Sequence, residues 1–181
     1  MRLENFRETT TASETIYEGR VINLRKDEVR LSNGHITQRE IVEHQGAICI
    51  VPVDKDGKIM MVRQFRKPAE QALLELPAGS LEKDEDPLDC AHRELLEECG
   101  LKAGRMAPLF QCYLAPGYSS EYMYGFLAQD LEQAKAQPEE DEILVLESYS
   151  LQELLPMITD GRIRDAKTIC GVLLWARISG V

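Results

Sequence analysis

The sequence predicts an α+β fold, in which a mixed β-sheet is layered with helices and preceded by an antiparallel β appendage. Three observations lead to it. Strand-like segments come first, one convincing helix is embedded among strands at 87–99, and two helices close the chain near 150–160 and 165–178. This order is not the strand–helix alternation of a doubly wound parallel sheet. Neither a G-x-G-x-x-G nor a Walker phosphate loop is present.

Residues 1–13 are polar and rich in Thr and Ser, so they are expected to be frayed or loosely docked. From Glu14 to Glu43 apolar residues alternate with polar ones, and Ser32-Asn33-Gly34-His35 signals a hairpin turn. Ala47–Val53 is an apolar run ended by Asp54-Lys55-Asp56-Gly57, and Ile59–Val62 follows as its hairpin partner. Leu73–Leu76 is a brief strand halted at Pro77. Asp86 is a good N-cap, Pro87 suits the first helical position and Gly100 stops the helix. Leu88, Ala91, Leu95 and Cys99 form its apolar face. Three more strands are predicted near 107–115, 121–128 and 142–150. The domain organisation expected is an N-terminal β-strand subdomain at 1–45 and a main domain at 46–181.

The chain of 181 residues carries a formal charge of −10. Residues 82–98 hold eight carboxylates against two cations, and residues 130–147 hold seven against one lysine. These two segments account for −12, leaving +2 for the remainder. Each segment is read either as a solvated face or as the lining of a divalent-cation site. An acidic chain lacks the basic footprint that nucleic acids or anionic membranes require. There is no secretory h-region and no apolar run of about 20 residues, so a cytoplasmic protein is expected. The five cysteines form no C-x-x-C pair and are expected to be reduced and mostly buried. Only Cys90, near His92, offers a catalytic-thiol alternative.

The 87–99 helix places Glu94, Glu97 and Glu98 at i, i+3 and i+4, on one face. Three like charges there repel one another, and the C-terminal half of a helix disfavours anions. Hard oxygen ligands grouped this way suit Mg²⁺, with Mn²⁺ as a substitute. Arg93 supplies one counter-charge. Upstream, Leu76-Pro77-Ala78-Gly79 breaks the strand and lets backbone approach the carboxylates, so the Ala78 carbonyl is a further candidate ligand.

Counted from Gly79, five residues lead to Glu85 and seven more to Arg93-Glu94-Leu95-Leu96-Glu97-Glu98-Cys99-Gly100-Leu101. This resembles the Nudix box, with every fixed position matched. The resemblance implies a Nudix α/β/α sandwich and a pyrophosphohydrolase of nucleoside diphosphates linked to a further moiety. It implies Glu94 and Glu98 as main metal ligands, assisted by Glu97 and Ala78, with Arg93 and Glu85 in support. Outside the box, Pro116-Gly117 after Ala115, Val62-Arg63-Gln64-Phe65-Arg66, Glu40–His44 and Asp165–Thr168 are similar to the ADP-ribose pyrophosphatase group. By that likeness Arg66 reaches the substrate phosphates, and Glu40 contacts the adenine, with Arg39 a weaker candidate beside it. The same likeness implies Pro116 and Gly117 as substrate-binding residues. Tyr118 departs toward dinucleoside-polyphosphate hydrolases. The group implies a homodimer through the N-terminal strands, with Val21 of one chain on the adenine bound by the other. It also implies a general base in the second acidic segment, favouring Glu140, with Glu142 as the alternative or an extra metal ligand. The expected reaction is Mg²⁺-dependent cleavage of ADP-ribose to AMP and ribose 5-phosphate, with GDP-mannose or a similar sugar nucleotide as the alternative.

Overall fold

The computed structural model describes residues 6–135 and 143–180. Among them the chain forms strands β1 (Glu8–Glu18), β2 (Asn23–Leu31), β3 (Ile36–Glu43), β4 (Ala47–Pro52), β5 (Ile59–Arg66), β6 (Gln71–Glu75) and β7 (Ala78–Ser80). Helix α1 (Pro87–Cys99), β8 (Leu101–Tyr113), β9 (Tyr122–Gln133), β10 (Val145–Tyr149), α2 (Leu151–Thr159) and α3 (Ala166–Ser179) follow.

The chain divides into two units. The first runs to Gly46 and takes in Tyr113–Tyr122; the second holds Ala47–Cys112 and the chain from Met123. In the first unit β1, β2 and β3 form an antiparallel sheet in sequence order. The β2–β3 turn closes through Gly34 at φ 85°, the Asn33 side chain accepting the His35 N–H. The loop after β8 returns to β3 within this unit: Val42 donates to the Tyr118 carbonyl at 2.8 Å and Ser120 to that of Val42 at 2.9 Å.

Residues 8–13 are not frayed; they belong to the eleven-residue strand β1. Its polar side chains find partners on β2: Ser13 donates to the buried Asp27 at 2.6 Å and Thr11 to Glu28 at 2.6 Å. Polarity in an exposed edge strand says little about order when hydrogen bonds come from a neighbour.

In the second unit β7-β4-β9-β8 make a mixed sheet, with β4 antiparallel to β7 and parallel to β9. A second sheet runs β10-β5-β6. Strand β4 is buried at every residue, and its alternate side chains serve two cores. Ile48 and Ile50 pack with Cys90, Ala91 and Leu95 of α1. Val51 packs with Leu76 and with Leu154 of α2 and Val172 of α3. The sheets are thus layered between α1 on one side and α2–α3 on the other, the α/β/α arrangement expected.

Helix α1 has the predicted bounds. The Asp86 carboxylate accepts the Leu88 N–H at 2.8 Å, Pro87 occupies the first turn, and Gly100 ends the helix at φ 63°. Its apolar face differs by one residue: Leu88 is 39% exposed, and the buried side is made by Cys90, Ala91, Leu95 and Cys99. Cys49, Cys90 and Cys99 are buried, Cys112 is half-buried and Cys170 exposed. No helix among the described residues is long and apolar enough to cross a membrane.

Gly171 lets α3 approach the sheet. A Cβ there would lie 2.5 Å from Leu76 Cδ1 and 3.0 Å from Val51 Cγ2, both on fully buried side chains. Alanine gains about 1 kcal/mol in helix propensity over glycine, but overpacking a core costs about 1–3 kcal/mol. Gly171→Ala should therefore lower stability by up to about 2 kcal/mol in denaturant unfolding.

Candidate functional site

The acidic face of α1 is organised by one arginine. Arg93 donates from Nε to Glu85 at 2.9 Å and from Nη2 to its other oxygen at 3.0 Å. Its Nη1 donates to Glu94 at 2.7 Å and Glu97 at 3.0 Å. Nη2 also reaches the Ser80 carbonyl at 3.4 Å, tying the helix to the end of β7. Glu98, 5% exposed, accepts the N–H of Ala78 at 3.1 Å. The broken strand after Leu76 therefore lies against the glutamates, as its Pro-Ala-Gly sequence suggests.

Gly79 is required by this approach. A Cβ at that position would stand 1.9 Å from Glu94 Oε1, closer than non-bonded atoms can come. Glu85, Glu94, Glu97 and Glu98 against Arg93 leave a formal charge of −3 on a surface where Glu94 and Glu98 are buried. Buried carboxylates need compensation by cations or hydrogen bonds. Among the described residues no three acidic, histidine or cysteine side chains are already drawn into a metal cage. Glu94 and Glu97 turn to Arg93, and Glu98 to the Ala78 N–H. The donor set is nonetheless one of hard oxygens in net anionic surroundings, which fits a divalent cation.

The catalytic-thiol reading of Cys90 does not hold. Burial pushes its thiol well above the ordinary range, and its sulfur faces the Ser80 carbonyl at 3.6 Å.

Arg66, at the end of β5, lies in the same unit as the glutamates. Its guanidinium makes a two-point contact with Glu75, at 3.0 and 2.9 Å. Glu75 and its second partner, Lys167, were missed in the sequence. A charged residue inside the apolar stretch Leu73-Leu74-Glu75-Leu76 was the available signal.

Val21, Arg39, Glu40, Pro116 and Gly117 belong to the other unit. Val21, 57% exposed, lines a cleft of about 170 Å³ with Gly19, Asn23, Glu43 and His44. Glu40 is exposed on β3 opposite Lys26. Arg39 is engaged by Glu8, at 2.7 and 3.0 Å, reaching across β2. Pro116 and Gly117 form an exposed turn in which Ser119 donates to the Ala115 carbonyl at 2.9 Å. Glu140 and Glu142 lie outside the described residues.

Comparison with known proteins gives consistent matches. The NUDIX domain matches residues 43–171, and the nucleoside diphosphate sugar hydrolase N-terminal domain matches residues 8–42. An ADP-ribose pyrophosphatase of Bacillus subtilis is 40% identical over 168 residues, 92% of this chain and 91% of its own length. A methanol dehydrogenase activator of Bacillus methanolicus is 41% identical, over 92% of this chain and 91% of its own. The crystal structure of an ADP compounds hydrolase superposes with a TM-score of 0.84 at 25% identity, covering 96% of each chain.

Glu85 offers a test of the arginine hub. Its carboxyl is held at about 2, against an ordinary 4.5, chiefly by its hydrogen bond from Arg93. A lowered folded value means that the pair's stabilisation is complete above pH 4.5 and is lost as pH falls toward 2. Glu85→Gln should lower stability at neutral pH and flatten the acid limb of the stability curve, read by denaturant unfolding at a series of pH values.

Proposed function

The chain belongs to the NUDIX domain family and is a hydrolase of that family, and on this premise we propose that it cleaves the pyrophosphate of ADP-ribose to AMP and ribose 5-phosphate, using Mg²⁺. One observation carries the substrate: the chain that holds the glutamate face is similar along nine-tenths of its length to an ADP-ribose pyrophosphatase. The close approach of β7 at Ala78 and Gly79, which sets backbone against Glu94 and Glu98, supports the chemistry.

A divalent cation is the cofactor class of the family, and Mg²⁺, with Mn²⁺ as substitute, is our assignment. Glu94, Glu98 and Glu97 would hold it, with the Ala78 carbonyl as backbone ligand. When bound, it would neutralise phosphoryl charge and acidify a coordinated water. The protein's own part is positioning. Arg93 holds the carboxylates on one face, and Arg66 meets a substrate phosphate with its guanidinium. Glu140 takes the proton of the attacking water, with Glu142 as the alternative.

We assign residues 1–45 to dimerisation and substrate binding and 46–181 to hydrolysis. Strand β1 is exposed along its whole length, which supports a homodimer through the N-terminal strands. Val21 and Glu40, with Arg39 nearby, serve the adenine, and Pro116 and Gly117 bind the substrate. The protein acts in the cytoplasm on a small nucleotide, without nucleic acid or membrane.

A panel of nucleoside diphosphate derivatives with Mg²⁺ tests the substrate. ADP-ribose should show the highest kcat/KM; equal cleavage of GDP-mannose, UDP-sugars or dinucleoside polyphosphates would sink the assignment. The methanol dehydrogenase activator favours a second reading, in which the hydrolase modulates a dehydrogenase. Added to methanol dehydrogenase, the protein would then raise its turnover.

Glu98→Gln should lower kcat by roughly two orders of magnitude or more while leaving the fold intact. Glu140→Gln should lower kcat with Mg²⁺ affinity nearly unchanged. If only Glu142→Gln does so, the base is Glu142.

A further inference from the structure

A buried ionic network stands behind Arg66. Glu75, at the end of β6, is 1% exposed. Besides the two-point contact from Arg66, its carboxylate accepts from Nζ of Lys167, in the first turn of α3. The Lys167 amine is itself buried and lies 2.9 Å from the Asp165 carboxylate. Asp165 caps α3 by accepting the Thr168 N–H at 3.0 Å, and the Thr168 hydroxyl also donates to it. The same hydroxyl accepts the N–H of Leu76 at 2.8 Å. Two adjacent residues, Glu75 and Leu76, are thus gripped by two adjacent residues of α3, Lys167 and Thr168, 92 positions away in sequence.

Stability alone is a poor reason for such a network. Apolar side chains of similar volume commonly stabilise a core as well as a buried ion pair does. Orientation is a better one. The contact from Nε and Nη2 fixes the plane of the Arg66 guanidinium and leaves Nη1 outside the fork. Arg66 retains 40% side-chain exposure, whereas Glu75 has almost none. One edge of the guanidinium is therefore anchored in protein while the side chain still reaches solvent. Lys167 shares the Glu75 carboxylate, so that Arg66 is not the sole counter-charge to it.

We infer that Glu75 and Lys167 are positioning residues that hold Arg66 preoriented for a phosphate of the substrate. The inference rests on the reading that Arg66 meets that phosphate. An arginine already fixed loses less rotamer freedom on binding, so the benefit is in affinity rather than in the chemical step.

Steady-state kinetics with ADP-ribose and Mg²⁺ test this on Arg66→Ala, Glu75→Gln, Lys167→Met and the double variant Arg66→Ala/Glu75→Gln. Arg66→Ala should raise KM about tenfold or more, and Glu75→Gln comparably, with kcat within about threefold. Lys167→Met should raise KM about threefold or more. The double variant should be no worse than Arg66→Ala, because Glu75 acts through Arg66. An unchanged KM in Arg66→Ala would overturn the phosphate reading, and the positioning role with it. A raised KM there, combined with additive effects in the double variant or with a fall in kcat alone in Glu75→Gln, would overturn only the positioning role. If Glu75→Gln does not fold, Lys167→Met carries the test; failure of both to fold would assign the pair to the fold and overturn the inference.

Discussion

The contacts of one guanidinium, that of Arg93, are the constraint on which the acidic helix depends. Glu94, Glu97 and Glu98 crowd the C-terminal half of α1, where both mutual repulsion and the helix dipole act against them. Arg93 offsets this by donating to Glu94 and Glu97 on one side and to Glu85 on the other. Glu85 also accepts the Glu82 N–H at 2.9 Å, so the same arginine ties the loop before α1 to the face of the helix. The formal charge of −3 left on the cluster is of the sign that suits a cation. A helix built for stability alone would carry lysines there.

Backbone placement completes the arrangement. The segment from Leu76 to Ala78 is held at three consecutive residues by three different elements. Leu76 donates to Thr168 of α3, the Pro77 carbonyl accepts from Ile50 of β4, and Ala78 donates to Glu98 of α1. Gly79, having no Cβ, then leaves the space into which Glu94 closes. Strand β4 makes this possible, because its alternation sends Ile50 toward α1 and Val51 toward α3. The residues that pack the core and those that set the carboxylates are thus parts of one layered contact.

How much could be read in advance follows from the range of each interaction. Helix α1 was legible to the residue because its start and stop are local chemistry: Asp86 and Pro87 at one end, Gly100 at the other. The carboxylate face was legible because helical spacing alone brings 94, 97 and 98 together. The first part of β1, residues 8–13, was not, since a Thr-rich polar stretch has no inner face to betray it and takes its order from Asp27 and Glu28 on β2. Leu88 was assigned to the buried side by its spacing, yet the first turn leaves it exposed. The partnership of Glu75 with Lys167 spans 92 positions, and only the fold brings the two together. A charged residue between buried leucines was a hint that some partner must exist, without naming it.

The network at Arg66 also bears on the electrostatics of anion binding. Arg66 and Lys167 are matched in number by Glu75 and Asp165, so a simple charge count suggests no attraction for phosphate. The count is modified by position, because Asp165 makes its direct contacts with Lys167 and Thr168 and acts on Arg66 only through space. Its carboxylate caps the N-terminus of α3, where the aligned peptide dipoles and the Thr168 donors absorb much of its charge. Glu75 is divided between two cations, and it meets Arg66 through Nε and Nη2 only. The guanidinium is accordingly neutralised on its inner edge and less so on the outer one. An arginine paired with a lone carboxylate would be oriented but largely cancelled, whereas a free surface arginine would be charged but unoriented. Sharing the carboxylate with Lys167 keeps Arg66 oriented without making it the sole counter-charge to Glu75.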